Sequence, residues 1–265
     1  MAGCVTIYSL EPVSSISQYL LTAGVLTCIT AAAFAINDYW DIDKDRINHP
    51  ERPLPSGRIS RLQAKRLAVS LFSTALLLAI PLGASPLLLV TVSALLLWYY
   101  SPLLKYSGIL GNVLVAALVS ALILLGALVA GRPLAGLYPM GFLFLFILAK
   151  EIVWDVHDAM GDRAQGTVTI ANLWGDRVAF QIVWGVLGLL LLSIPGAMVW
   201  LPMRYPVWFA IGCLFLLLSF GIALIQYQQQ RNSRTYAALI FWARLDMLLG
   251  IVGLLGTMPP LQKCS

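Results

Sequence analysis

Two short stretches hold eight of the twelve acidic residues in a chain that is only 11% charged. Residues 37–45 read NDYWDIDKD and residues 150–163 read KEIVWDVHDAMGDR. Asp38, Asp41 and Asp45 are separated by three and four, and so are Asp155, Asp158 and Asp162. On a helix, residues three or four apart share a face, so each set becomes a column of carboxylates. Aligned carboxylates repel one another unless a cation sits between them. Two such columns on one side of a membrane would cage divalent cations. Hard oxygen ligands favour magnesium over zinc, with Asn37 adding a neutral oxygen four residues before Asp41 and no Cys or His grouping nearby. Magnesium binds through one or two carboxylates, keeps several waters and shares its other positions with substrate phosphates. Lys44, Arg46, Arg52, Lys105 and Arg163 flank the columns and suit an anionic ligand. His157 has no second His or Cys nearby and reads as a supporting or surface residue; His49 lies in a polar loop.

Such columns need rigid elements behind them, and the composition says which kind. The 265 residues are 60% hydrophobic with mean hydropathy +0.85, well above the apolar share of a soluble domain. A membrane-spanning helix needs about 20 mostly apolar residues. Eight apolar segments are predicted, near 17–36, 64–84, 86–100, 109–130, 137–154, 177–199, 207–228 and 237–257. Connections are short and no polar block has the size of a domain. The expectation is an all-α, polytopic transmembrane bundle of about eight helices, forming one integral-membrane domain over residues 1–265. The first segment lacks the basic lead and small-residue cleavage site of a signal peptide. Cys4, Cys28, Cys213 and Cys264 are scattered without CxxC spacing, which points to isolated thiols.

The net charge of +5 follows the topology. If the segments alternate, one side receives the connections 37–66, 101–108, 150–177 and 229–236, with 13 of the 17 Lys and Arg residues. The positive-inside rule places that side, and the active-site loops near 37–66 and 150–177, in the cytoplasm. Topology and an anionic ligand account for the basic excess, so nucleic acid is not a partner on this reading. Arg244 and Asp246 fall within the last segment. The sequence favours a later helix start that leaves both near the interface, with no role.

The stretch NDYWDIDKDRINHPERPLPSGRIS at 37–60 resembles the first Asp-rich motif, NDxxDxxxD, of the UbiA superfamily of intramembrane prenyltransferases, including its RPLPSG continuation. DAMGD at 158–162 is similar to that family's DxxxD motif, and YYSPLLK at 99–105 to its tyrosine-to-lysine stretch. The resemblance implies a helical fold around a central cavity and magnesium-dependent transfer of a prenyl group from an isoprenyl diphosphate to a second, lipophilic or aromatic substrate. Carried over by position, Asn37, Asp41, Asp158 and Asp162 are the metal-site residues, supported by Asp38, Asp45 and Asp155. Arg46, Lys105 and Arg163 would hold the diphosphate. The acceptor stays open; DRINHPERPLPSGRIS and KEIVWDVHDAMGD lean toward the branches that use a prenylated glycerol phosphate or chlorophyll-like rings. The family has nine helices, with the first motif after the second. Only 36 residues precede Asn37 here, so the family's first helix is expected to be missing. MAGCVTIYSLEPVSS reads as its tail in a longer natural chain, the alternative being a genuine eight-helix protein whose cavity wall is left to lipid or a partner.

The chemistry follows from charge. Breaking an allylic carbon–oxygen bond leaves pyrophosphate, which two magnesium ions with Lys and Arg would stabilise. The other product is a carbocation, protected by a dry cavity and aromatic faces. Tyr39, Trp40, Tyr99, Tyr100 and Trp154 are candidates for that lining, Tyr100 foremost because the family motif covers it. With Asp41 and Asp158 it makes up the expected catalytic set. Rival readings are a cyclase that uses no acceptor, a transporter and a non-catalytic scaffold. A conducting path needs charge near mid-membrane, whereas these acids gather at one end.

Overall fold

The computed structural model describes residues 16–48, 50–100, 107–164 and 166–256. Eight α-helices follow one another without a strand among the described residues. They are α1 (Ile16–Asn48), α2 (Arg61–Ala79), α3 (Ala84–Tyr99), α4 (Ile109–Val129), α5 (Leu137–Ala164), α6 (Ile170–Trp200), α7 (Pro206–Gln229) and α8 (Ser233–Gly256). Among the described residues, six stretches are long and apolar enough to cross a membrane, in α1, α2, α4, α5, α6 and α7. At 16 residues α3 reaches only about 24 Å, short of a hydrocarbon core about 30 Å thick. α8 carries Arg234, Arg244 and Asp246 within its length.

Both acidic stretches are helical instead of looped. α1 runs through 33 residues, about 50 Å, so the turns bearing Asn37 to Asp45 continue beyond its apolar run. α5 likewise carries its acids to Ala164, leaving only a short link before α6. The chain after α1 returns through a turn-rich linker whose Leu54 is buried with Ile42 and Ala64. Ser60 then starts α2 with a reciprocal cap. Its hydroxyl accepts from the Gln63 backbone N–H, and the Gln63 side chain accepts from the Ser60 N–H.

Packing follows from small residues at close crossings, the usual device where lipid removes the hydrophobic drive between helices. α2 buries Ala64, Ala68, Phe72, Ala75 and Ala79, a stripe at helical spacing, and α1 answers with Val25, Leu26, Ile29, Ala32 and Ile36. One buried cluster joins α1, α2, α3 and the outer end of α4, and a larger one joins α4 to α8. Among the described residues only α4 belongs to both, so it is the wall on which the two halves meet.

One glycine fixes the start of that wall. Gly108 has φ +49°, and a Cβ there would lie 2.1 Å from the Val168 carbonyl oxygen. That same carbonyl accepts from the Ile109 N–H at 3.2 Å, tying the link after α5 to the first turn of α4. Gly108→Ala is therefore expected to cost about 1–3 kcal/mol and lower the melting temperature of the purified protein. An unchanged melting temperature would show that this approach is not needed.

Candidate active site at one end of the bundle

The first column is organised by an arginine from the linker. Arg52 Nη1 lies 2.8 Å from Asp45 Oδ2 and 3.8 Å from Asp38 Oδ1. Asp45 is 5% exposed, so its charge is neutralised inside the protein and not by solvent. Asn37 and Asp41 are half-buried on the same helix. Arg46 takes another direction: it is exposed and pairs with Asp43 at 3.1 Å.

The second column is anchored from α4. Asn112, buried in the first turn of α4, donates through Nδ2 to Asp155 Oδ2 at 2.7 Å. Asp162 is half-buried and Asp158 exposed. Arg163 Nε donates to Asn172 Oδ1 at 2.9 Å, and Asn172 Nδ2 in turn donates to the Thr167 carbonyl. The side chain expected to hold phosphate thus braces the α5–α6 link. Lys105 and His49 lie outside the described residues, as does the 1–15 stretch read as a helix tail.

Tyr100, capping α3, joins the two columns. Burial pushes its phenol above the usual value of 10, and the charges of Glu151, Asp155 and Asp41 push it the same way. One hydroxyl therefore feels carboxylates from both α1 and α5, which places the two columns at the same end of the bundle. The phenol keeps its proton at neutral pH and remains a hydrogen-bond donor.

The expected metal cage is not closed. Among the described residues, no three His, Cys, Asp or Glu side chains converge tightly enough to hold an ion alone. The donor set still fits magnesium in its usual mode, with one or two carboxylates per ion and the other positions filled by water and phosphate oxygens. Arg52 on Asp45 and Asp38 shows how the first column takes up a cation.

The other aromatic candidates are spoken for locally. Tyr39 packs beneath Arg61, with 4.7 Å from guanidinium to ring centre, and edge-on to Trp40. Trp154 lies under Lys150 at 4.8 Å, and Tyr99 is half exposed. An apolar cavity instead begins one turn before Asn37. Phe34, Ile29 and Val25 of α1, Leu97 and Val90 of α3 and Leu122 of α4 line it.

Three features escaped sequence reasoning. Asn112 had no signal beyond being a lone polar residue in an apolar run. His157 stacks on Tyr236 with ring centres 3.3 Å apart, and its Nδ1 lies 3.0 Å from the Tyr227 hydroxyl, fixing α5 to α7 and α8. Asp246 corrects an expectation. α8 begins at Ser233, so Asp246 is 13 residues, about 20 Å, along the helix and wholly buried, while Arg244 is exposed.

Residues 1–245 match the UbiA prenyltransferase family. A digeranylgeranylglyceryl phosphate synthase of Sulfolobus acidocaldarius is 36% identical over 178 residues, 67% of this chain and 65% of that protein. One from Ignicoccus hospitalis is 31% identical over 246 residues, 89% of this chain and 80% of the relative. The aligned stretch thus spans just under two thirds of the Sulfolobus relative. A solved structure of a digeranylgeranylglyceryl phosphate synthase shares the fold, with TM-score 0.79 and 24% identity over 97% of this chain and 91% of the other. So does a UbiA homologue from Archaeoglobus fulgidus bound to DMAPP and Mg2+, with TM-score 0.75 and 16% identity over 97% and 94%.

Removing Arg52 leaves the buried Asp45 carboxylate without its cation. Arg52→Ala is expected to cost about 1–3 kcal/mol, limited by the arginine's own half-exposure. The double variant Arg52→Ala/Asp45→Asn should recover at least half of the lost melting temperature. No recovery would show that Asp45 is not the group Arg52 neutralises.

Proposed function

The chain belongs to the UbiA prenyltransferase family, and from that premise we propose that it moves a prenyl group from an isoprenyl diphosphate onto the hydroxyl of a prenylated glycerol phosphate. The observation that carries this reading is that α1 and α5 bring their carboxylate columns to the same end of the bundle, next to an apolar cavity that begins one turn before Asn37. The acceptor class is supported by the curated relatives, named as digeranylgeranylglyceryl phosphate synthases. The diphosphate and metal are supported by the Archaeoglobus fulgidus homologue with DMAPP and Mg2+. The positive-inside distribution supports a cytoplasmic position for the acidic end.

Asn37, Asp41, Asp158 and Asp162 would hold the metal, two ions on this reading. Bound magnesium supplies Lewis-acid neutralisation of the charge that develops on the leaving pyrophosphate. Asp38 and Asp45 contribute by fixing Arg52 beside that charge, and Asp155 by its anchor to Asn112. Tyr100 offers a neutral donor that does not ionise as the reaction proceeds. The prenyl tail lies along α1, α3 and α4, where the aliphatic walls exclude water from the allylic cation. The C1–O bond of the diphosphate breaks and the acceptor's hydroxyl oxygen forms the new ether bond. The hydroxyl proton passes to a pyrophosphate oxygen.

The test is magnesium-dependent pyrophosphate release from geranyl, farnesyl, geranylgeranyl and phytyl diphosphates, with and without prenylated glycerol phosphate, with products identified by mass spectrometry. Release that requires the acceptor and yields an ether is expected. A cyclic product without acceptor would replace transfer by cyclisation. Asp41→Ala and Asp158→Ala should each lower turnover about 100-fold or more while the protein still inserts and folds. Retained turnover would refute the assignment.

A further inference from the structure

A second cavity lies deeper in the bundle than the acids and adjoins the first, sharing Val119 and Leu122 of α4 with it. It is bounded by α4, α5, α7 and α8 and encloses about 770 Å³ of atom-free space, its open mouth included. Its α5 wall runs from Pro139 to Phe146, nine to sixteen residues before Asp155, so it is separated from the second column by about 14–24 Å of helix. Phe142, Phe146 and Phe209 form much of the lining. Gly250 and Gly253 keep the α8 side low.

The exception in this apolar lining is Asp246. Its side chain is wholly buried, and one carboxyl oxygen is engaged by Ser219, whose Oγ is 2.6 Å from Oδ1. The other, Oδ2, has no partner in the protein. A buried polar atom left without a partner costs free energy, so natural structures keep few of them. Arg244, two residues earlier, is exposed and does not reach this carboxyl. A single water is a poor remedy, because a buried water needs two to four polar partners and the lining, apart from the weakly polar sulfurs of Cys213 and Met247, is aliphatic and aromatic. A hydrocarbon chain would leave Oδ2 as unsatisfied as an empty cavity does.

We propose that this cavity binds an amphiphile with a hydroxyl group, seating the hydroxyl on Asp246 Oδ2 and its apolar body against Phe142, Phe146 and Phe209. A hydroxyl both donates and accepts, so it satisfies Oδ2 whether the carboxyl is charged or neutral; an ammonium or a carbonyl satisfies only one of those states. Apolar walls with one polar fixing point are the usual design of a small-molecule site. The fixing point at Asp246 lies away from the diphosphate end, although the cavity meets the one lined by α1, α3 and α4 at Val119 and Leu122.

The test uses the full chain in lipid nanodiscs with two photoreactive probes, a diazirine-bearing long-chain primary alcohol and the matched hydrocarbon without the hydroxyl. Labelling is read by mass spectrometry on the peptides containing Phe142–Phe146 and Met247–Gly253. The alcohol is expected to label these at least about tenfold more than the hydrocarbon. Asp246→Leu should erase that preference, and Asp246→Asn, whose amide also donates and accepts, should retain it. Displacement by unlabelled long-chain alcohol or by a dialkylglycerol supports the site and identifies a free alcohol or a lipid hydroxyl as its source; displacement by neither overturns it. Equal labelling by both probes in the unaltered chain also overturns it, whether or not the variants fold. So does a preference that survives Asp246→Leu. Because the readout is labelling and not turnover, failure here leaves the transferase reading untouched, and failure of that reading leaves this one standing.

Discussion

Gathering like charges is the constraint around which this molecule is built. α1 and α5 carry their carboxylates to the same end of an apolar bundle, where burial and the charges of Glu151, Asp155 and Asp41 all push the Tyr100 phenol up. Such an arrangement is unfavourable by itself, because the low-dielectric interior that strengthens attraction strengthens repulsion equally. The protein offsets part of it internally. Arg52 neutralises Asp45 and lies near Asp38, and Asn112 gives Asp155 a neutral donor. The chain thereby holds its acids in place while leaving a demand for positive charge, which on the proposed reading a metal-bound diphosphate would meet.

The scaffold serves that arrangement in two ways. α1 and α5 are longer than the apolar core they cross, so their last turns project the acidic columns as rigid helix. α4 belongs to both buried clusters, and its first turn supplies Asn112 to the second column. Gly108 lets the link after α5 fold back onto that turn, so the donor and the column it serves are tied through backbone as well as side chain. Polar and apolar parts are then divided by depth, with the acids at the end and two adjoining cavities beneath them.

Much of this was legible in the sequence because it depends on period and composition. Apolar run lengths gave eight helices, and three-and-four spacing put the aspartates in columns. What stayed hidden depends on long-range packing. Nothing local distinguishes Arg52, which turns inward to Asp45, from Arg46, which turns outward to Asp43. Asn112 becomes significant only through a partner 43 residues away. His157 looked unpartnered because Tyr227 and Tyr236 come from distant helices. Asp246 was misjudged because charge suggested a helix end, whereas α8 starts earlier and buries it. Spacing likewise does not reveal that Tyr39 lies beneath Arg61 and Trp154 beneath Lys150.

The central claim is that both columns act on one metal-bound diphosphate. Electron paramagnetic resonance with Mn2+ in place of magnesium tests it most directly, using a non-ionising isoprenyl thiodiphosphate analogue and observing phosphorus coupling to the ion. Tight Mn2+ binding with phosphorus coupling is expected only when the analogue is present, and it should be lost in Asp41→Asn and in Asp158→Asn alike. Binding that ignores the diphosphate, or that depends on only one of the two aspartates, would contradict a shared site.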